Sequence, residues 1–496
     1  MTPTDHARIS APDALRLDPE IQKRNTIVIA TLLVSTFVMI LNETIMSVAL
    51  PRLMVSLDVS ASAAQWLTTA FLLTMAIVIP ITGFLIQRFN TRPIFLAAML
   101  LFSTGTLICA LSPGLGTLVV GRVIQAGGTA IMLPLLMTTV MNLVPPATRG
   151  RTMGNISIVI SVAPAIGPTI SGFILNILDW RWMFWLVLPI ALIALAIGWQ
   201  KMRNVSTPRH APLDILSVVL SAIGFGGLVY GLSSLGEGHG QQGIPLWLPV
   251  VVGLVGLVIF IFRQLQLQKD DRALLDLRTF TFPAYSVALF MMVINMMALF
   301  GVIILFPIYT QSVIGIDALQ TGLLLLPGGL LMGLMAPFVG RLFDRIGPTP
   351  LVVPGAVLVS IVLWSMTTLT ATTPTAWVLS GHIALSIGLA LLFTPLFTVA
   401  LGAVPARLYS HGSAMLGTVQ QVAGAAGIAL FVSLMTLRSQ TEMAAGADEP
   451  TALAAGIRAA FFVAALLSIL AVVAAFFVRR VDAEDVPGED AVPAAH

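Results

Sequence analysis

Fourteen apolar runs of about 20 residues, each bounded by charges or turn residues, occupy most of this 496-residue chain. They fall at 26–50, 62–86, 93–112, 117–143, 153–178, 182–200, 213–234, 246–264, 284–310, 318–340, 350–369, 376–401, 412–436 and 456–478. A helix rises about 1.5 Å per residue, so each run suffices to cross about 30 Å of hydrocarbon. Charged residues make up only 9% of the chain. Soluble domains carry about 25%, so the fold class is an all-α polytopic membrane protein. The first 24 residues are polar and hold no apolar core, so the first span is expected to direct insertion itself.

Basic residues orient the helices. With the N-terminus in the cytoplasm, inner loops and span ends hold 20 of the 25 Lys and Arg. Outer ones hold Arg52, Arg181, Arg438 and Arg458, and Arg122 lies within a span. Cytoplasmic loops retain positive charge, so both termini are expected inside. Trp66, Trp180, Trp182, Trp247 and Trp377 fall at outer ends and Trp199 at an inner one, as an interfacial belt requires. The longest outer loop is expected from about Leu437 to Ala455. The net charge of +3 is spread over short loops, which gives no nucleic-acid surface. A single cysteine, Cys109, excludes an intrachain disulfide and any multi-cysteine metal site.

Two charges lie inside the spans. A carboxylate at the centre of a span costs about 2.5 to 3.5 kcal/mol, while each Leu, Ile, Phe or Val returns about 0.3 to 0.6. The first run therefore inserts with Glu43 inside, and an intramembrane acid reads as functional by default. Glu43 lies about 10 Å from the outer end of span 1, and Arg122 about 7 to 8 Å from that of span 4. An arginine beside a carboxyl group favours its ionised form and desolvation its neutral form. A change of surroundings can then load and unload a proton. The plainer alternative is a structural ion pair tying two helices together.

Other polar residues within spans are Gln65, Gln125, Asn155, Asn295, His382, Gln420 and Gln421. They serve either as interhelical glue or as the lining of a cavity, with Met292, Met296 and Phe300 as an apolar wall beside Asn295. Asp214, at the start of span 7, reads as structural. In APAIGPTISG (163–172), Pro164 and Pro168 lie one turn apart, with Ala163, Gly167 and Ser171 on one face. That pattern permits close helix approach and bending, either as a hinge or as ordinary packing.

One repeat divides the chain. GFLIQRFNTR (83–92) and GRLFDRIGPTP (340–350) each have a Gly, a Leu two residues on and an Arg five residues on. This organises the protein as a cytoplasmic tail (1–25), a six-helix bundle (26–200), two inserted helices with flanking loops (201–283), a second six-helix bundle (284–478) and a tail expected to be disordered (479–496). Parallel halves of this kind are a transporter architecture.

GRLFDRIG at Gly340 to Gly347 resembles the loop signature G-x-L-x-D-R-x-G of the major facilitator superfamily. GRVIQAGG at Gly121 to Gly128 is similar to its span-4 pattern R-x-x-Q-G-x-G, and APAIGPTISG to its antiporter pattern G-x-x-x-G-P-x-x-G-G. LNETIMSVALP (41–51) and DWRWMFW (179–185) resemble the fourteen-span drug:proton antiporter branch, above all its lincomycin-resistance-type members. The chain departs at Gln87 and Asn90, where the family usually has Asp and Gly, and at Ala126, Ala163 and Ser171. The family often has Asp one position before Glu43, where Asn42 stands here.

The resemblance implies a major facilitator fold of 14 transmembrane helices (6 + 2 + 6) in the bacterial cytoplasmic membrane. It implies efflux of varied lipophilic or cationic drugs by proton antiport and alternating access. Proton coupling is expected at Glu43 and Arg122. The substrate cavity is expected at Asn42, Gln125, Asn155, Met292, Asn295, Met296, Phe300, Gln420 and Gln421. Gating is expected at Gly83, Arg88, Arg92, Pro164, Gly167, Pro168, Gly172, Gly340, Asp344, Arg345 and Gly347. No phosphate-binding loop, H-E-x-x-H, G-x-S-x-G or C-x-x-C occurs. The protein is thus expected to be no enzyme, to need no cofactor or metal, and to draw on a proton gradient. The alternatives are a proton-linked exporter of one physiological lipid, fatty acid or metabolite, and a non-transporting scaffold or receptor. Whether a periplasmic adaptor protein partners the chain is not written in the sequence.

Overall fold

Inside a bilayer no water meets the backbone N–H and C=O groups, so apolar runs of this length satisfy themselves as helices. A computed structural model describes residues 19–59, 61–206, 208, 213–237, 245 and 247–479. In chain order the helices are α1 (Pro19–Leu57), α2 (Ala61–Arg88), α3 (Thr91–Ala110), α4 (Leu115–Leu143), α5 (Arg149–Ile177) and α6 (Trp182–Lys201). Helix α7 comprises Ile215–Ser221, a π turn at Ala222–Gly226 and Gly227–Glu237, and α8 is Leu248–Leu267. Helix α9 is Pro283–Ile308 with a π turn at Tyr309–Val313. The rest are α10 (Ala318–Ile346), α11 (Thr349–Met366), α12 (Thr375–Gly402), α13 (Tyr409–Ala444) and α14 (Glu449–Ala475). Fourteen helices are long and apolar enough to span a membrane, and no strand occurs among the described residues.

Two sequence expectations about boundaries are corrected. Helix α1 continues past Pro51 to Leu57. The outer loop expected at 437–455 shrinks to 445–448, because α13 and α14 extend into it. The segment after Leu437 is polar but helix-competent, and Arg438 pairs with Glu442 one turn on at 2.5 Å. Polarity marked the end of the span there, not the end of the helix. Residues 1–18 and 480–496 of the expected tails lie outside the described residues.

Helix–helix contact in lipid depends on close packing of small residues. Helices α3 and α4 meet so closely that a Cβ on Gly128 would fall 2.3 Å from the Ala98 carbonyl oxygen. One on Gly121 would fall 2.6 Å from Cys109 Sγ. The inserted pair is joined in the same way: a Cβ on Gly253 of α8 would fall 2.5 Å from the Leu228 backbone nitrogen of α7.

The two halves meet at the arginine-rich end of the bundle, the end that the sequence reading expects in the cytoplasm. Two seams do this, α2 against α13 and α10 against α5. At each, the first glycine of the sequence repeat touches the opening turn of a helix from the other half. A Cβ on Gly340 would lie 2.1 Å from the Gly150 carbonyl oxygen, and one on Gly83 3.3 Å from that of Ser410. The repeat is therefore a repeat of contacts. Gly347, with φ +80°, terminates α10 in a conformation that L side chains rarely adopt.

The inserted pair lies along α2 and α13. At its arginine-rich end, Asp214 caps α7 by accepting the Ser217 N–H at 2.9 Å, and Arg263 of α8 forks onto it with two bonds of 2.7 Å. The Arg263 hydrogen bonds first, and the Ser217 bonds after them, hold the Asp214 carboxyl well below the usual carboxylate range. From α8 the chain continues as a strap over 268–282. Gln264 Oε1 accepts the N–H groups of the buried Leu274 and Leu275 at 2.7 and 3.3 Å, and its Nε2 donates to Ser217 Oγ at 2.7 Å.

Gly128→Leu is expected to separate α3 from α4, costing about 1–3 kcal/mol or more and lowering the thermal unfolding midpoint in detergent. A group whose folded-state pKa is depressed stabilises above its unfolded pKa, and that stability is lost as pH falls through the folded value. The Asp214–Arg263 pair therefore stays intact throughout the range from about pH 5.5 to about pH 8. Asp214→Asn is expected to lower the midpoint by a constant amount across that range, as thermal scans at several pH values would show.

Candidate functional site

Arg122 is the largest fully buried side chain, 1% exposed. A guanidinium has five N–H donors and is costly to bury without acceptors. Four helices of the first half surround it. Nη1 donates to Asn42 Oδ1 of α1 at 3.2 Å and to Gln125 Oε1 of α4 at 2.7 Å, and Nε donates to the Leu67 carbonyl of α2 at 3.5 Å. The guanidinium carbon stands 4.0 Å from the centre of the Phe71 ring, a cation–π contact worth up to about 2 kcal/mol when desolvated. Gln125 passes the chain on, Nε2 to Thr106 Oγ1 of α3 at 2.8 Å, and Thr106 donates to the Phe102 carbonyl at 2.7 Å.

Glu43 follows Asn42 on α1 and is half-buried. It is near enough for the Arg122 charge to act on it. No hydrogen bond or ion pair to Glu43 occurs among the described residues. The buried cation is thus held by neutral amides and a carbonyl, and the acid beside it keeps its oxygens free. Successive helical residues point about 100° apart, which explains why Asn42 takes the arginine and Glu43 does not.

The antiporter-like segment of α5 meets α1 at the next residue. A Cβ on Gly167 would lie 2.3 Å from Thr44 Oγ1, and Thr44 donates to the Ala163 carbonyl at 3.4 Å. Pro164 lies within α5, which runs unbroken to Ile177. The side chain of Pro168 lies outside the described residues, as does that of Gln65. Gly172 faces open space.

At the seams, Asp344 accepts the backbone N–H groups of Gly150 and Arg151 at the start of α5, both at 2.8 Å. A carboxylate at a helix N-terminus satisfies orphan donors and complements the dipole. Arg345 and Arg88 are exposed. Arg92 turns back into its own half, donating to the Trp199 carbonyl near the C-terminus of α6 at 2.8 Å. Contacts that the sequence reading did not anticipate also cross between halves. Arg149 donates to Tyr409 Oη at 3.1 Å, Thr138 meets Ser413 at 2.7 Å, and Thr394 donates to Ser157 at 2.9 Å.

The residues proposed for a cavity are not gathered around Glu43. Asn42 and Gln125 belong to the Arg122 cluster. Asn155 is exposed, about 18 Å along α5 from Gly167. Met292, Asn295 and Met296 are buried on α9, where Asn295 Nδ2 donates to the Met291 carbonyl at 2.8 Å. Phe300 packs on Gly424 of α13. Gln420 and Gln421 are half-buried, and Gln420 Nε2 has no partner among the described residues. His382 packs against Phe306 and bonds the Leu325 carbonyl at 3.1 Å. Among the described residues no cluster of three or more His, Cys, Asp or Glu could hold a metal ion. Phe71 and Thr106 are the neighbours of the site that no motif marked, and Thr44, within LNETIMSVALP, had no role read for it; only helix packing brings the three in.

Gln125→Leu is expected to leave Arg122 and Thr106 each short of a partner, a cost of about 1–3 kcal/mol for each orphaned group. Gln125→Glu keeps the acceptor and is expected to restore much of the loss. Thermal midpoints of both variants in nanodiscs check this.

A family model described as the Major Facilitator Superfamily matches residues 32–428. Lincomycin resistance protein LmrB of Bacillus subtilis is 40% identical over 461 residues, 92% of this chain and 96% of that protein. Multidrug export protein EmrB of Haemophilus influenzae is 29% identical over 398 residues, 80% of this chain and 78% of that protein. Among solved structures, the human organic anion transporter MFSD10 has a TM-score of 0.67 at 16% identity, covering 92% of this chain and 100% of that one. The proton:xylose symporter XylE has a TM-score of 0.63 at 15% identity, with coverage of 92% and 96%. At such identities the structural likeness speaks for the fold alone. The sequence matches go further: the chain belongs to the major facilitator superfamily and is a multi-pass membrane transporter, not an enzyme.

Proposed function

We propose that the protein is a proton-coupled antiporter that exports lipophilic or cationic drugs by alternating access, with Glu43 as the group that carries the proton. The observation behind this is the state of Glu43. It is an acid at membrane depth, beside a buried arginine whose Nη1 and Nε donate to other groups, and its own oxygens accept no hydrogen bond among the described residues. A carboxyl group locked in an ion pair would be structural; this one is available to a proton or to a cationic substrate. The named activities of the relatives, lincomycin resistance and multidrug export, supply the substrate class.

The remaining parts act around that acid. Arg122, held by Asn42, Gln125 and Phe71, fixes a positive charge near Glu43 without neutralising it. Gly167 and Thr44 join α5 to α1 one residue from the acid. A movement of α5 when the α5/α10 seam opens would therefore reach Glu43 directly. With the arginine-rich end in the cytoplasm, the Asp344 cap and the two glycine contacts close the inner side in this conformation. Exchange of proton for substrate then requires the seams to part and re-form, and no cofactor enters the cycle.

Purified protein in liposomes under an imposed pH gradient tests the reading. Wild type is expected to move an ethidium-like cationic dye against its concentration gradient. Glu43→Gln is expected to abolish uphill movement while leaving dye exchange at equal concentrations measurable. Uphill movement by Glu43→Gln at the wild-type rate would remove the acid from the mechanism.

A further inference from the structure

The two seams rest on the same repeat but differ at one position. On α5/α10, Asp344 takes two N–H groups from the opposite half at 2.8 Å. On α2/α13 the matching residue is Gln87, whose side chain among the described residues bonds only from Nε2 to the Arg407 carbonyl, at 3.4 Å. A neutral amide donating to the Arg407 carbonyl itself brings to the start of α13 none of the negative charge that a helix N-terminus favours.

The α2/α13 seam is also the one that the inserted helices cover. A Cβ on Gly226, in the π turn of α7, would lie 3.2 Å from both Leu73 and Ile77 of α2. Trp66 of α2 stacks on Tyr230 of α7 with ring centres 5.9 Å apart, and the second part of α7 packs along α13. The strap then reaches the seam from the other side. Leu274 lies against His411, on the first turn of α13, and that turn meets Gly83 of α2. Just beyond the strap, Tyr285 Oη donates to the Gly412 carbonyl at 3.0 Å. The strap itself is fixed to the inserted pair by Gln264, and the Asp214–Arg263 fork joins the two helices of that pair to each other.

We infer that α7, α8 and the strap over 268–282 form a clasp that holds the α2/α13 seam shut, in place of the acid that position 87 lacks. The inserted pair reaches both sides of the seam at once, α2 from the first half and α13 from the second. A packed hairpin can substitute for a charged cap because each holds the same turn, Ser410–Gly412, against Gly83. The inference requires only that the halves part at this end. It does not require Glu43 to carry a proton, so the two readings fail separately.

The test measures distances, without drug or gradient, in full-length protein in nanodiscs. In a Cys109→Ala background, spin labels at Phe89→Cys and Ala406→Cys report on α2/α13, and labels at Ala147→Cys and Ile346→Cys report on α5/α10. Gln264→Leu frees the strap, and Gly226→Leu wedges α7 away from α2. Each is expected to deplete the short-distance population of the first pair and to leave the second pair unchanged. Adding Gln87→Asp to Gln264→Leu is expected to restore the short distance, because the new carboxylate can accept the N–H groups of Ser410 and His411. The inference is overturned by equal opening at both pairs, by no response of the first pair to either variant, or by failure of Gln87→Asp to restore closure.

Discussion

A guanidinium sealed in the apolar interior has to be given acceptors, and the first half of the protein is arranged to provide them. Arg122 draws an amide from α1, a carbonyl and an aromatic face from α2 and an amide from its own helix. Gln125 extends the set to α3. The relative rotation of these four helices is therefore set by a polar cluster, while their separation is set by small residues such as Gly121 and Gly128. Because the acceptors are neutral, the positive charge persists beside Glu43, with which it forms no ion pair among the described residues.

The same economy of contact governs the meeting of the two halves. Each seam depends on a glycine that admits the first turn of a helix from the other side, and a helix start offers unbonded N–H groups. Asp344 answers these at one seam. At the other, Gln87 instead donates to the Arg407 carbonyl, and it is there that the inserted helices are packed.

How much of this could be read beforehand differs by kind. The helices were legible because burial in lipid demands a length of apolar residues that little else requires, and the family followed from motifs at Gly121, Ala163 and Gly340. The pairing of Gly83 with Ser410 and of Gly340 with Gly150 was half legible: the repeat showed two equivalent points but not what they touch. The extension of α13 to Ala444 was missed because a polar helix outside the membrane looks like a loop to a hydropathy reading. Arg92 read as a gate residue, yet in this conformation it bonds the end of α6 in its own half.

Sequence alone determined the number of spans and put Glu43 in the first and Arg122 in the fourth; the division into six, two and six was its expectation. These depend on composition along a single chain. Tertiary structure decided that Asn42 rather than Glu43 holds Arg122, and that the inserted pair lies on the α2/α13 seam. Both are matters of how helices are rotated and placed against one another. That is fixed by side-chain fit between segments far apart in the chain, where adjacent positions differ by about 100°.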